Sequence, residues 1–495
     1  MFAKQPTFNE PLSQTEVLQH KQDTGRALVL NRPKALNALN LAMVRAMTPQ
    51  LLAWEQSDLC KVIILKSSAA RAFCAGGDVK KVVELVQAKD EHYAQFFEEE
   101  YRLNYLIGSA RTPIVAIIDG ITMGGGVGLS VHAPFRVATE RTVFAMPETA
   151  IGLFPDVGGS HFLPRLDGFL GRYLGLTGQR LEGQSVFWAG IATHYVPSER
   201  LPALQERLCE LGSSDPAVVN EAIEEFSQET AQLSDPAAYT LFPYLQAIDR
   251  CFRYDTVEEI YAALEREATK PGQGATTTAT DTATHSTAKI AKWAKETLTT
   301  LRKMSPTSQK VTLELIKEGE KRNLQDCLQL EFRVAQTMTK APDFTEGVTA
   351  KLIHRGKVEP QWQPATLEEL PLNQLINNYF KAHTHDLDFL PITQPTQNAT
   401  TTANPNANID MMASKSGQKT PAIFTPTTHP NFALVTAKEV LHLIHNSSLK
   451  VTTDEIFDYF HHKYSGKIGM TTKLQILLST KFTVDPKTKV ISVPN

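Results

Sequence analysis

Ile121-Thr122-Met123-Gly124-Gly125-Gly126-Val127-Gly128-Leu129-Ser130 is the stretch on which the reading of this chain turns. It follows the apolar run Pro113 to Ile118 and precedes Met146-Pro147-Glu148 and Phe154-Pro155-Asp156-Val157-Gly158-Gly159. A buried strand feeding a glycine-rich turn that opens a helix aims free backbone N–H groups at one point, which suits an oxyanion. With two carboxylates shortly beyond, the pattern describes a site that stabilises a thioester enolate or tetrahedral oxyanion and moves a proton or activates a water. The triple glycine lacks the lysine and Ser/Thr that close a nucleotide P-loop and is not the spaced dinucleotide fingerprint, so nucleotide hydrolysis is a poor fit. Close helix–strand packing is the competing explanation of the glycines.

A second glycine loop weighs against packing alone. Phe73-Cys74-Ala75-Gly76-Gly77-Asp78-Val79-Lys80 follows the strand-like Val62-Ile63-Ile64-Leu65 and precedes a helical stretch from Asp78 to Gln87, with Asp78 expected as its N-cap. Two N–H donors from separate loops, Gly77 and one near Gly125, make an oxyanion hole. Upstream, Arg26 to Leu30 reads as a strand entering the loop Asn31 to Leu39, and Asn40 as the cap of an amphipathic helix from Leu41 to Trp54. Short apolar strands alternate with helices up to about Leu201, the pattern of an α/β fold, and the chain is mainly helical thereafter. Lys270 to Thr287 reads as a low-complexity loop before a helix from Ala288 to Leu301. Pro391 to Pro430, rich in Pro, Thr, Asn and Ala, reads as a disordered linker. Beyond it, Thr436 to Asn446, Thr453 to Tyr464 and Thr471 to Phe482 read as three short helices. A strand-like end, Val490 to Val493, gives the small module a hairpin.

A formal net charge of −3 over 495 residues creates no field that demands nucleic acid. No apolar stretch approaches the ~20 residues needed to cross a bilayer, and Met1 to Thr24 has neither a secretory h-region nor an Arg-rich transit pattern. The five scattered cysteines, Cys60, Cys74, Cys209, Cys251 and Cys327, point to a reducing compartment and to packing rather than to metal or nucleophile roles. His442, His445, His461 and His462 have no carboxylate or cysteine frame for a metal, so no metal site is expected.

Taken in order, these motifs resemble the enoyl-CoA hydratase/isomerase (crotonase) superfamily. The stretches Gly124 to Glu140 and Phe144 to Leu166 are similar to its 3-hydroxyisobutyryl-CoA hydrolase branch, and the match runs on through Glu331-Phe332-Arg333, Asp343 to Val348 and Pro360-Gln361-Trp362, about 390 residues in all. The resemblance implies a spiral of ββα units over about 15–210 and a helical region over about 211–390, and it ends there; residues 431–495, mildly lysine-rich but without arginine, read from their composition as an appendage that docks a partner or serves oligomerisation rather than as a nucleic-acid binder. It implies an acyl-CoA substrate, no cofactor beyond the coenzyme A of that substrate, and a homo-oligomer as one option. It places the oxyanion N–H groups on Gly77 and Gly125. Hydratases of the superfamily carry one glutamate just after the triple glycine and a second in the later Pro-Glu dipeptide; here the first position is Gly128 and the second is Glu148. Asp156 stands where hydratases commonly have glycine, and the Glu148 with Asp156 pair is the hydrolase pattern.

The implied reaction is hydrolysis of 3-hydroxyisobutyryl-CoA, or a close 3-hydroxyacyl-CoA, in valine catabolism. Glu148 either attacks directly through a mixed anhydride or deprotonates water, and Asp156 orients the water or protonates the leaving sulfur. Glu100, in the acidic triplet Glu98-Glu99-Glu100, aligns with a substrate-contacting glutamate that reads the acyl hydroxyl, whereas an acidic triplet alone reads as a solvated helix face. Arg32, Lys34 and Lys80, with Ala38 and Ala75 in the same loops, are the candidate coenzyme A contacts. The alternatives are a hydratase or isomerase, disfavoured by Gly128, and a non-catalytic subunit such as a mitochondrial ribosome component. Bacterial cytoplasm is the expected compartment, and the mitochondrial matrix if the chain is eukaryotic.

Overall fold

The structure, a computed structural model, describes residues 15–227, 233–270, 281–382, 385–389, 432–447, 451–464 and 466–493. The residues expected to form a linker, 391–430, lie outside these.

Strands β1 (Val17–Gln22), β2 (Gly25–Leu30), β3 (Val62–Ser67), β4 (Ala72–Cys74), β5 (Ile114–Ile117), β6 (Ile121–Met123), β7 (Phe135–Ala138), β8 (Val143–Ala145), β9 (Leu181–Glu182) and β10 (His194–Tyr195) form two sheets. A six-stranded sheet runs β1-β2-β3-β5-β7-β10 and a four-stranded sheet runs β4-β6-β8-β9. Each turn of chain lays one strand in each sheet. β3 leads to β4, β5 to β6 and β7 to β8, so the expected ββα spiral is the architecture found. Within the larger sheet the pairs β3–β5 and β5–β7 are parallel, with Ile63 opposite Ile114 and Val115 opposite Phe135. Parallel strands are covered on both faces, so their apolar residues alternate between two cores. Ile63, Leu65, Ile114 and Ala116 enter the main core, while Val62, Ile64, Val115 and Ile117 face a second one closed by Leu201, Leu204, Leu208 and Val219.

Helices α1 (Leu41–Glu55), α2 (Val79–Gln87), α3 (Gln95–Ser109) and α4 (Gly125–Gly128) follow the loops that matter for function. Asn40 caps α1 by accepting from the Met43 N–H at 2.8 Å. Asp78 is not the side-chain cap expected for α2. Its carboxylate pairs instead with the Arg32 guanidinium at 2.9 Å, a charge partner that outcompetes a backbone N–H. The helix expected from Ala288 begins earlier, at Asp281, and runs to Leu301; residues 271–280 are not among those described.

The C-terminal module holds helices Ala437–Asn446, Thr453–Lys463 and Met470–Lys481 and a hairpin of β11 (Thr483–Val484) with β12 (Ile491–Ser492). Capping boxes at Thr436/Glu439 and Thr452/Glu455 start its first two helices. The module packs on its own chain. Lys473 donates to Asp167 (2.6 Å) and to the Trp188 carbonyl (2.9 Å), Lys467 reaches Glu224 (2.5 Å) and His194 (3.1 Å), Lys481 pairs with Asp249, and Phe432 stacks on Phe135. Among the described residues no helix is long and apolar enough to cross a membrane.

Candidate active site

The two glycine loops meet. Leu39 bridges the second loop as a short parallel pair, its N–H donating to the Gly76 carbonyl and its carbonyl accepting from the Asp78 N–H, both at 2.8 Å. That pairing turns the Gly77 N–H to the opposite side, where it takes no hydrogen bond among the described residues. A Cβ built on Gly125 would lie 3.2 Å from this nitrogen. Gly125 is the first residue of α4, so its own N–H is one of the helix's unengaged donors. Gly124, with φ 44° and ψ −118°, makes the turn that aims α4, a conformation costly for any residue with a Cβ. Two unengaged amides from separate loops thus stand side by side.

Three carboxyls gather on the same spot. Glu148 opens a short helix after β8, and its Oε1 lies 2.8 Å from where a Gly124 Cβ would be. Glu100, on α3, puts its Oε1 2.5 Å from the Cβ position of Gly125. Asp156 accepts from the Tyr101 hydroxyl at 2.8 Å. They are 6%, 1% and 5% exposed for Glu148, Glu100 and Asp156, so all three have lost their water. Burial, then the nearby Asp156 charge, pushes Glu148 well above the carboxylate range; Glu100 is raised by burial, Asp156 and Glu148. Burial lifts Asp156 to about 7 against the Tyr101 hydrogen bond that pulls it down. Glu148 Oε2 and Glu100 Oε1 have no protein partner among the described residues. The acidic triplet divides: Glu98 pairs with Arg102 and Glu99 with Arg45, each at 2.7 Å, and only Glu100 turns inward.

The loop carrying Asp156 is clamped from three directions. Tyr101 holds the carboxylate, His132 Nε2 donates to the Val157 carbonyl at 2.7 Å, and Glu331 accepts from the Gly158 and Ser160 N–H groups at 2.7 and 2.8 Å. Burial lowers His132 to about 4, so the imidazole that donates is neutral. These clamps hold Val157 at φ 52°, a backbone that a β-branched residue adopts only under constraint. Sequence reasoning missed Tyr101, Asn104, His132 and Glu331 as site residues. Asn104 lies four positions beyond Glu100 on the same helix face and Tyr101 one position beyond on a neighbouring face, so neither carries a signal until the loop they meet is placed. His132 and Glu331 had none either, because the loop they hold is distant in sequence.

At position 128, a Cβ would meet Val157 Cβ at 2.6 Å and the Asn104 carboxamide at 2.9 and 3.0 Å. There is no room for the glutamate that hydratases carry at this point. Of the candidate coenzyme contacts, Arg32 is engaged by Asp78, Glu16 (3.5 Å) and the Ala38 carbonyl (2.9 Å), contacts that brace its loop. Lys34 and Lys80 are exposed, and Ala38 and Ala75 are half-buried in loops joined by the Ala75 N–H to the Leu36 carbonyl at 3.1 Å. Cys74 is buried against the Gly76 carbonyl with its thiol pushed up to about 12, as packing requires. Among the described residues no three His, Cys, Asp or Glu side chains gather as a metal site would need.

Comparison with known proteins agrees with this geometry. The family model described as enoyl-CoA hydratase/isomerase matches residues 25–380. The human protein named 3-hydroxyisobutyryl-CoA hydrolase, mitochondrial, is 44% identical over 374 residues, covering 76% of this chain and 91% of that protein. The Neurospora crassa protein named small ribosomal subunit protein mS47 is 46% identical over 368 residues, covering 72% of this chain and 69% of that protein. Among solved structures, a carnitinyl-CoA dehydratase from Mycobacterium thermoresistibile superposes with a TM-score of 0.64 at 35% identity, covering 76% of this chain and 98% of that one. With the ββα spiral, the paired glycine loops and the carboxyl cluster in place, the chain belongs to the enoyl-CoA hydratase/isomerase family, in the branch that its 3-hydroxyisobutyryl-CoA hydrolase relatives define.

Proposed function

We propose that this chain hydrolyses 3-hydroxyisobutyryl-CoA, or a close 3-hydroxyacyl-CoA, to the free acid and coenzyme A. The observation that carries the reading is the meeting of Glu148 and Asp156 in one buried cluster beside the Gly77 and Gly125 amides, with position 128 closed to a second glutamate. The thioester oxygen accepts from the two amides, each such donor contributing roughly 3 to 4 kcal/mol to the transition state. Glu148, whose Oε2 has no partner to hold it back, passes its proton to Asp156 and attacks the acyl carbon as the carboxylate; the C–S bond breaks and the thiolate takes that proton back from Asp156. Asp156, now a carboxylate, removes a proton from water as the water oxygen adds to the anhydride carbon. Glu148 leaves as carboxylate and the free acid departs. A group near pH 7 suits that double role as acid and base, and the pair shares one proton in the resting site. Glu100, held protonated, reads the acyl end. The reading uses no cofactor.

The five cysteines are all free and buried, which fits a reducing compartment; for a eukaryotic chain the names of the human and chicken relatives favour the mitochondrial matrix. A structural role is the second reading, favoured by the Neurospora crassa relative's name. One experiment separates them: free thiol release, and loss of the enoyl double bond by absorbance, followed with 3-hydroxyisobutyryl-, 3-hydroxypropionyl- and crotonyl-CoA. Thiol from the two hydroxylated thioesters, with no hydration of crotonyl-CoA, is expected. Hydration of crotonyl-CoA, or no thiol from any of the three, overturns the reading.

A further inference from the structure

Asn104 is a fully buried polar side chain near the carboxyl cluster that the mechanism above does not use. It is 0% exposed, and both its Nδ2 and its Oδ1 lack a partner among the described residues. A carboxamide offers two donors and an acceptor, and burying all of them unpaired is costly unless a polar guest arrives to take them. Its place says what the guest is. On α3 it stands one turn beyond Glu100 and three residues beyond Tyr101, the group that holds Asp156. A Cβ on Gly128 would meet its carboxamide, as a Cβ on Gly125 would meet Glu100, so the two α3 residues lie along the single turn of α4. Val157, the residue after Asp156, closes the other side of Gly128.

In water addition across a double bond, a carboxylate at this point would serve the water that becomes the hydroxyl on the carbon β to the thioester carbonyl. A hydrolase whose substrate already carries that hydroxyl needs the opposite: a group that binds it without drawing its proton or helping it leave as water. A neutral amide meets that need, donating from Nδ2–H to the hydroxyl oxygen and accepting its O–H at Oδ1, whereas a second carboxylate would favour dehydration. We infer that Asn104 is a specificity-determining residue that reads the 3-hydroxyl of the substrate from the place a hydratase gives to its second acid. The inference rests on the thioesterase reading above.

The test compares 3-hydroxyisobutyryl-CoA with isobutyryl-CoA, which differs only by the hydroxyl, in the wild-type chain and in Asn104→Leu and Asn104→Asp. A site that pairs with a hydroxyl discriminates strongly against an analogue lacking it, because its own polar atoms are then left unpaired. The wild type is expected to prefer the hydroxylated thioester by about 100-fold or more in kcat/KM, and Asn104→Leu to lose roughly 30- to 100-fold with that substrate while its rate with isobutyryl-CoA stays level or rises. Asn104→Asp, which can still accept the O–H, should restore part of the preference. Equal losses on both thioesters would mean that Asn104 holds the attacking water or only packs the helix, and would overturn the inference while leaving the hydrolase reading intact. Absence of thiol release by the wild type would remove both.

Discussion

Tyr101 decides at what pH Asp156 can act. Its hydroxyl donates to Asp156 Oδ2 at 2.8 Å, and a donor to a carboxylate favours the ionised form. Burial has already carried Asp156 to about 7, so the acid limb of kcat/KM should fall near neutrality rather than near pH 4. Removing the donor raises the group further, and the carboxylate then forms only at higher pH. Tyr101→Phe is therefore expected to move that limb up by about one pH unit, a shift worth ~1.4 kcal/mol, with a smaller change in the plateau. A limb that stays in place would detach Tyr101 from the titration. Glu148, Gly125 and Gly77 were legible in the sequence because each sits in a local motif. Tyr101 and Asn104 were not singled out, since a tyrosine and an asparagine on a helix carry no meaning until the partner loop is known to pass over that face.

Among the elements, the loop from Phe154 to Ser160 depends on a residue 171 positions or more away. Glu331 is buried and accepts two N–H groups and the Ser160 hydroxyl (2.5 Å). Glu331→Gln presents an NH₂ group to N–H donors, so at least one of these bonds is lost. We expect a cost of about 1–3 kcal/mol in thermal unfolding and a drop of roughly tenfold in thiol release with little change in KM, because Asp156 is displaced while the oxyanion amides are untouched. Unaltered kcat would show that the loop holds Asp156 without this clamp. The strand–turn–helix units could be read directly, since strands covered on both faces appear as continuous apolar runs and the turns carry their glycines. The Asp78 cap could not, because Arg32 reaches it from another loop. Nor could the start of the helix at Asp281, where threonine and alanine, read as low complexity, take helical form.

For the whole molecule, the C-terminal module is a brace on the family domain, and buried charge does the fastening. Lys473 and Asp167 are 5% and 12% exposed in their side chains. Breaking a buried pair by removing one partner costs about 3–5 kcal/mol because the other charge stays behind. Lys473→Met should accordingly lower Tm by about 3–5 °C, whereas Lys438→Ala, at the exposed pair with Glu320, should leave it within error. Equal Tm values for the two variants would reject the brace. The helices of the module were readable in the sequence, but its seat was not, since Asp167, Glu224 and Asp249 lie 306, 243 and 232 residues from their lysines. The central claim concerns the acyl group, and Glu148→Gln tests it most directly. A carboxyl raised by burial adds stability only while protonated, fully below its unfolded value near 4, and loses that contribution as pH rises toward its folded value. At pH 8 the amide should thus leave Tm equal to or above wild type. Thiol release from 3-hydroxyisobutyryl-CoA by this folded variant should fall about 1,000-fold or more; a near-native rate would contradict the account.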